Sequence, residues 1–152
     1  MARWVGPQLA AVLRAEWSWS EELGGEPDSM ASLVKVFRHT EDGWDESNGD
    51  GGGGWYDPAF QLPEIGPHEV QKWGTHTSGG AGWWCSAHWG RVGREIAYAE
   101  LMTPEGGNMR PIDSPIGAMV VAFDPTVAST IRYLTEDGDE AHVIEMPARD
   151  FA

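Results

Sequence analysis

The sequence predicts a mainly β protein, an antiparallel β-sandwich (immunoglobulin-like or similar) with one N-terminal α-helix. Three observations predict it. Runs rich in Val, Ile, Thr and aromatic residues recur through the last third, and 20 glycines and 10 prolines punctuate the chain. Asp137-Gly138, set between two such runs, is a hairpin signal. At 152 residues the chain is long enough to bury one core without staples. Residues 1–25 are expected to hold the helix, packed on a single sandwich domain of residues 26–152 with a flexible acidic, glycine-rich loop at 41–54.

The helix is read from Leu9, Val12, Leu13 and Trp17, which recur at three- and four-residue steps. Pro7 suits its first turn and Gly24-Gly25 its stop, giving a span of about Pro7 to Leu23 with Gln8, Arg14, Ser18, Glu21 and Glu22 on the wet side. Glu26 to Ser32 reads as a polar linker. Leu33 to His39 reads as a strand, being rich in β-branched and aromatic residues. Glu41 to Gly54 combines five acidic residues with six glycines, too little apolar surface to offset the entropy of ordering, so a mobile loop dispensable for folding is expected.

From Gln61 to Gly93, Pro63, Pro67 and seven glycines leave room only for short strands, with Trp83 to Trp89 the best of them. Ile96 to Met102, Ala118 to Phe123, Thr130 to Leu134 and Ala141 to Met146 are β-type runs separated by turn chemistry. Leu101 to Gly106 (LMTPEG) matches Tyr133 to Gly138 (YLTEDG), a short repeat that predicts two similar hairpins stacked face to face.

The segments GRVGREIAYAELMTPEGG, PIGAMVVAFDP and ASTIRYLTEDGDE carry a resemblance over about Trp89 to Met146. They resemble the tail of small actinobacterial β-sandwich proteins of no settled activity, in which Gly-x-Val-Gly opens a strand and two Asp-Gly hairpins follow. The resemblance implies a sandwich fold and an actinobacterial source rather than a reaction. Pro104-Glu105-Gly106 departs from it, standing where Asp-Gly is expected.

Charge narrows the function classes. A formal net charge of −14 repels phosphates and anionic headgroups, which disfavours direct nucleic-acid binding and membrane-surface binding. It leaves open an acidic inhibitor that imitates nucleic acid on a basic partner. Cys85 is the only cysteine, which allows no intrachain disulfide and suits a reducing compartment. The opening residues are broken by Gln8, Arg14 and Glu16 and read as neither signal peptide nor membrane span, so a cytoplasmic protein is expected.

Nine tryptophans, all at or before Trp89, are the most unusual feature. Trp55, Tyr56, Trp73, Trp83, Trp84 and Trp89 lie among glycines, where indoles give large contact area at small entropic cost, and are the candidate binding residues. Trp44 belongs to the same stretch. Adjacent Trp83 and Trp84 in a strand face opposite sides, so one ring is exposed or meets a second packed layer. The expected function is therefore a non-enzymatic binding or accessory module that meets a protein, glycan or other small ligand through aromatic, Gly-rich loops between Trp44 and Trp89.

His76, Cys85 and His88 are the candidate metal ligands, since zinc takes imidazole and thiolate; the leading expectation is no cofactor and zinc the alternative. In a regular strand Cys85 and His88 face opposite sides, so a turn would be needed to join them. The same residues could form a Cys-His nucleophile pair with Asp57 or Glu69 orienting the base, although no family signature surrounds Cys85 and Ser86 lacks a Gly-x-Ser-x-Gly context. A metal-dependent or thiol enzyme centred on these three is the alternative to the binding module. Asp42, Asp45, Asn48 and Asp50 suggest a weak calcium cradle, yet they fail the EF-hand spacing.

Overall fold

The computed structural model describes residues 2–19, 27–47, 51–56 and 64–151. Its strands are β1 (Ala2–Val5), β2 (Leu9–Trp19), β3 (Pro27–Thr40), β4 (Gly43–Glu46), β5 (Gly51–Tyr56) and β6 (Val70–Gly80), followed by β7 (Trp83–Val92), β8 (Ile96–Thr103), β9 (Gly106–Pro111), β10 (Ala118–Phe123), β11 (Ser129–Thr135) and β12 (Glu140–Met146). Every pairing is antiparallel. The front sheet runs β1-β2-β3-β4 with β5 also on β3, the central sheet β10-β7-β6, and the rear sheet β12-β11-β8-β9. The sandwich-like class expected from the sequence is the one observed. No helix among the described residues is long and apolar enough to cross a membrane.

The expected N-terminal helix is the first correction. Gly6 to Gln8 turn the chain, closed by Gly6 N–H donating to Leu9 O, and Leu9–Trp19 is strand β2; residues 20–26 lie outside the described part. Leu9, Ala11 and Leu13 fit a period of two as well as Leu9, Val12 and Leu13 fit a helix, and Ala11 carries too little bulk to announce itself. Pairing decides, because β2 runs in register along β3 from Leu9↔Arg38 to Trp19↔Pro27. In β3 the alternation is plain: Ser32, Val34 and Val36 are buried while Leu33 and Lys35 are exposed. The expected linker is also strand, as Pro27 to Ser32 belong to β3.

The expected flexible loop at 41–54 is the second correction. Glu41-Asp42 make the tip of the β3–β4 hairpin, and the glycine run Gly51 to Gly54 is strand β5; residues 48–50 lie outside the described part. β5 pairs with Ser29 to Val34 and β4 with Phe37 to Thr40, dividing the edge of β3 that β2 leaves. Ladder hydrogen bonds need no side chain, so a glycine run forms a strand once a partner edge is offered.

Between Gln61 and Gly93 the strands are longer than expected, at 11 residues for β6 and 10 for β7. The glycines do not break them, because they make room. A Cβ at Gly74 would clash with the Trp89 ring, and one at Gly80 with the Trp83 ring, so each indole packs against a bare cross-strand backbone.

The four β runs of the last third are β8, β10, β11 and β12, and β9 is the returning strand of the hairpin that turns at Pro104 to Gly106. The repeated hairpins β8–β9 and β11–β12 do not stack face to face; they lie side by side, joined by β8–β11 pairing. The repeat offset of 32 carries Glu100 onto Arg132, and these two are cross-strand partners joined by an ion pair of 2.9 Å. A local twofold axis therefore passes through that pair. Related turns close three hairpins: Thr40-Glu41-Asp42-Gly43, Thr103-Pro104-Glu105-Gly106 and Thr135-Glu136-Asp137-Gly138, each ending in a glycine at positive φ (111°, 137° and 87°) that other residues adopt only with strain. In the first two, the threonine Oγ1 accepts from the backbone N–H two residues on and donates to the glycine carbonyl.

The core runs through the central sheet. All six residues of β10 are buried, so this strand has no solvent face. Val120 and Trp89, partners across β10 and β7, point to the front sheet, where Trp89 Nε1 donates to Ser32 Oγ at 3.3 Å. Met119, one residue earlier, points the opposite way and takes the Tyr133 hydroxyl of β11 on its sulfur at 3.3 Å. One sheet thus packs against two.

Candidate functional site

Parity along β7 sorts the predicted binding residues. Trp83 and Trp89 are 6% and 2% exposed and fill the core toward the front sheet, so they offer no contact surface. Trp84, on the other face, is 43% exposed. Trp73 is half-buried and donates Nε1–H to Gln71 Oε1 at 3.1 Å. Trp55 and Tyr56 sit on β5 opposite Met30 and Ser29, and their side chains lie outside the described residues. Trp44 is exposed on β4, edge-on to its cross-strand partner His39 with ring centroids 5.1 Å apart.

Trp84 is held from behind. Its ring stacks on Phe151 at 4.6 Å and 18° between planes, and the Arg149 guanidinium lies over Phe151 at 4.9 Å. Arg149 is itself tied down, its N–H donating to Pro125 O at 2.8 Å and its Nη1 to Thr77 Oγ1 at 3.3 Å, while Thr77 and Ser86 share a hydroxyl hydrogen bond of 2.6 Å. The C-terminal segment therefore straps this face of β6 and β7.

In front of Trp84 opens a groove of about 420 Å³. The β1–β2 turn and the tip of the β8–β9 hairpin form its sides, with Trp4 and Phe123 among the apolar lining and Arg38, Glu105 and Asp124 among the charged. Asn108 lines it too, and its Nδ2 is buried with no hydrogen-bond partner. An unmet buried donor costs about 1–3 kcal/mol. Asp124 is rigid, its Oδ1 accepting from the Thr126 N–H and hydroxyl at 2.9 and 2.6 Å. Aromatic face, amide donor and fixed carboxylate thus converge in one concavity, the composition of a recognition site.

His76, Cys85 and His88 do not converge. Cys85 pairs with Ser78 and His76 with Ala87, which puts these two on the face toward the front sheet; His88 pairs with Thr75 on the opposite face. The three-residue step from Cys85 to His88 stays inside a regular strand, so the turn a zinc site needs is missing, and among the described residues no three His, Cys, Asp or Glu side chains gather at one point. Burial pushes the Cys85 thiol up to about 12, with the Asp124 charge adding to it. A protonated, fully buried thiol is a poor nucleophile. Burial, with Lys72 and His142 adding to it, pushes the His88 imidazole down to about 4, and its Nε2 has no hydrogen-bond partner. Glu69 is occupied by the Gly66 N–H at 2.9 Å, and Asp57 lies outside the described residues.

Among the described residues, acids occupy strands as well as turns. Asp42 sits in the β3–β4 turn and Asp45 on β4 opposite Arg38, while Asn48 and Asp50 of the calcium reading lie outside the described residues. Glu46 pairs with Lys35, and Glu100 and Glu140 both pair with Arg132.

Sequence reasoning missed Asn108, Asp124, Arg149 and Phe151. Gly106-Gly107 before Asn108 was an available signal of close approach. Phe151 had none, because its stacking partner is far off in the chain. Comparison with family models, characterised proteins and solved structures finds no match to this chain.

Proposed function

We propose that this chain is a non-enzymatic binding or accessory module whose contact surface is the Trp84 groove, and that its ligand is a glycan or an apolar side chain of a protein partner. One observation carries the reading: Trp84 is 43% exposed yet clamped on Phe151, so it offers an indole face already fixed in place. A pre-ordered ring loses little freedom on binding, and stacking on a sugar ring or side chain then adds contact area at small entropic cost. The Asn108 amide supplies a donor for a hydroxyl or carbonyl. The thiol or metal enzyme reading draws no support from His76, Cys85 and His88, divided as they are between two faces. A sole cysteine held as a protonated thiol suits the cytoplasmic setting proposed from the sequence, and the resemblance to actinobacterial sandwich proteins remains a proposal of source. The test is a titration of the chain with a panel of soluble oligosaccharides and hydrophobic peptides, following the Trp84 indole N–H by NMR. A saturable shift that Trp84→Ala abolishes supports the site; shifts elsewhere with Trp84 silent would move binding off this groove.

A further inference from the structure

A second groove, of about 500 Å³, lies where the end of β7 meets the segment before β10 and the chain around Glu64 and Ile65. It goes beyond the Trp84 reading and does not depend on it. Two arginines line it, Arg91 and Arg94, in a chain with only 10 basic residues against 24 acidic ones. Arg132 is engaged with Glu100 and Glu140, Arg110 with Val5 O and Arg149 with Thr77, while Arg3 and Arg38 line other grooves. Arg91 and Arg94 form no ion pair among the described residues, and Arg91 Nη1 is buried without a hydrogen-bond partner. In so acidic a chain, two guanidiniums against one lining carboxylate, Glu64, which forms an ion pair with neither, are a departure from the chain's own charge balance. A buried guanidinium donor without an acceptor is costly, and an anion removes that cost.

The remaining lining defines the ligand. Ser114 Oγ already accepts the Ala118 N–H at 3.1 Å, which leaves its hydroxyl proton to donate. Ile65, Ile112, Pro115 and Ile116 supply an apolar wall, with Ile116 41% exposed. A guanidinium fork matches a carboxylate in two-point geometry. The overall field of −14 opposes a dianionic phosphate about twice as strongly as a carboxylate, so a single charge on an apolar body is favoured. We infer that the Arg91–Arg94 groove binds a small aliphatic monocarboxylate, its head on Arg91, Arg94 and Ser114 and its tail along Ile112 and Ile116.

The experiment titrates the full chain with hexanoate, hexanol and inorganic phosphate and follows backbone amide shifts by NMR. Hexanoate is expected to give saturable shifts at Gly93, Ile112 and Gly117, with hexanol and phosphate each at least about tenfold weaker, as loss of a charge-assisted pair implies. Arg91→Met should weaken hexanoate by a similar factor and Arg91→Lys by less. No saturable shift with hexanoate overturns the site, as does equal binding by hexanol. Tighter binding by phosphate overturns the carboxylate class. If Arg91→Met does not fold, Arg94→Met takes its place, and hexanoate affinity unchanged in whichever variant folds overturns the proposal.

Discussion

β7 and β11 are both interior strands of their sheets, yet only one shows its place in the sequence. β11 keeps a near-alternation of buried and half-buried residues, with Ile131 and Tyr133 inward and Arg132 outward. β7 is buried almost throughout, with Trp84 its one exposed residue. The difference is one of layers: β11 has the central sheet on one side, whereas β7 has the front sheet on one side and the strapping C-terminal segment on the other. A strand covered twice loses its period, and its tryptophans then differ by parity alone.

Trp89→Ala is expected to have the largest effect. It empties a core position beneath bare Gly74 and removes the indole donor to Ser32 Oγ, so a loss of about 3–5 kcal/mol is expected by urea denaturation. A loss below about 1 kcal/mol would mean that β7 is not covered on its front-sheet face.

His88 tests the other face of the same strand. Its folded pKa of about 4 lies below the ordinary 6.5, so between these values the unfolded chain binds a proton that the folded one refuses. Stability from this site is therefore whole above about pH 6.5 and falls as pH drops toward 4, by on the order of 3 kcal/mol. Denaturation at pH 7, 5.5 and 4.5 should show this fall in the parent and a shallower one in His88→Gln; parallel curves would place His88 in water.

Trp84→Ala should cost only about 1 kcal/mol, the worth of its stack on Phe151, while removing the proposed ligand contact. A cost as large as that at Trp89 would make Trp84 a core ring. In β11, Arg132→Met should cost about 0.5–1 kcal/mol, since its two carboxylate partners are partly solvated, and the loss should shrink in high salt. An effect near 3 kcal/mol would show that the twofold pair nucleates the rear sheet rather than decorating it.

Much of the rear sheet was legible because each strand shows water on one face and core on the other. Ile131, Tyr133 and their polar neighbours alternate, and Asp137-Gly138 supplies the turn. The front sheet was not, since alanines at 10, 11 and 15 hide the period of β2 and the glycines of β5 carry no pattern at all. Of the candidate site, Trp84 was legible as one of two adjacent indoles that must face opposite ways, but which one reached solvent was not. Trp84 lies on the strand expected at Trp83 to Trp89 rather than on a loop.

The sequence by itself determined the β class, the hairpin turns of the last third, the acidic surface and the opposition of Cys85 to His88, because each rests on local stereochemistry or on composition. Only the tertiary structure decided that residues 9–19 extend rather than coil, that the repeated hairpins lie side by side, and that Trp84 rather than Trp83 faces the groove. Those outcomes turn on which edges and faces are offered by strands far away in the chain, and on Phe151 reaching back to clamp an indole. Local pattern carries no record of such contacts.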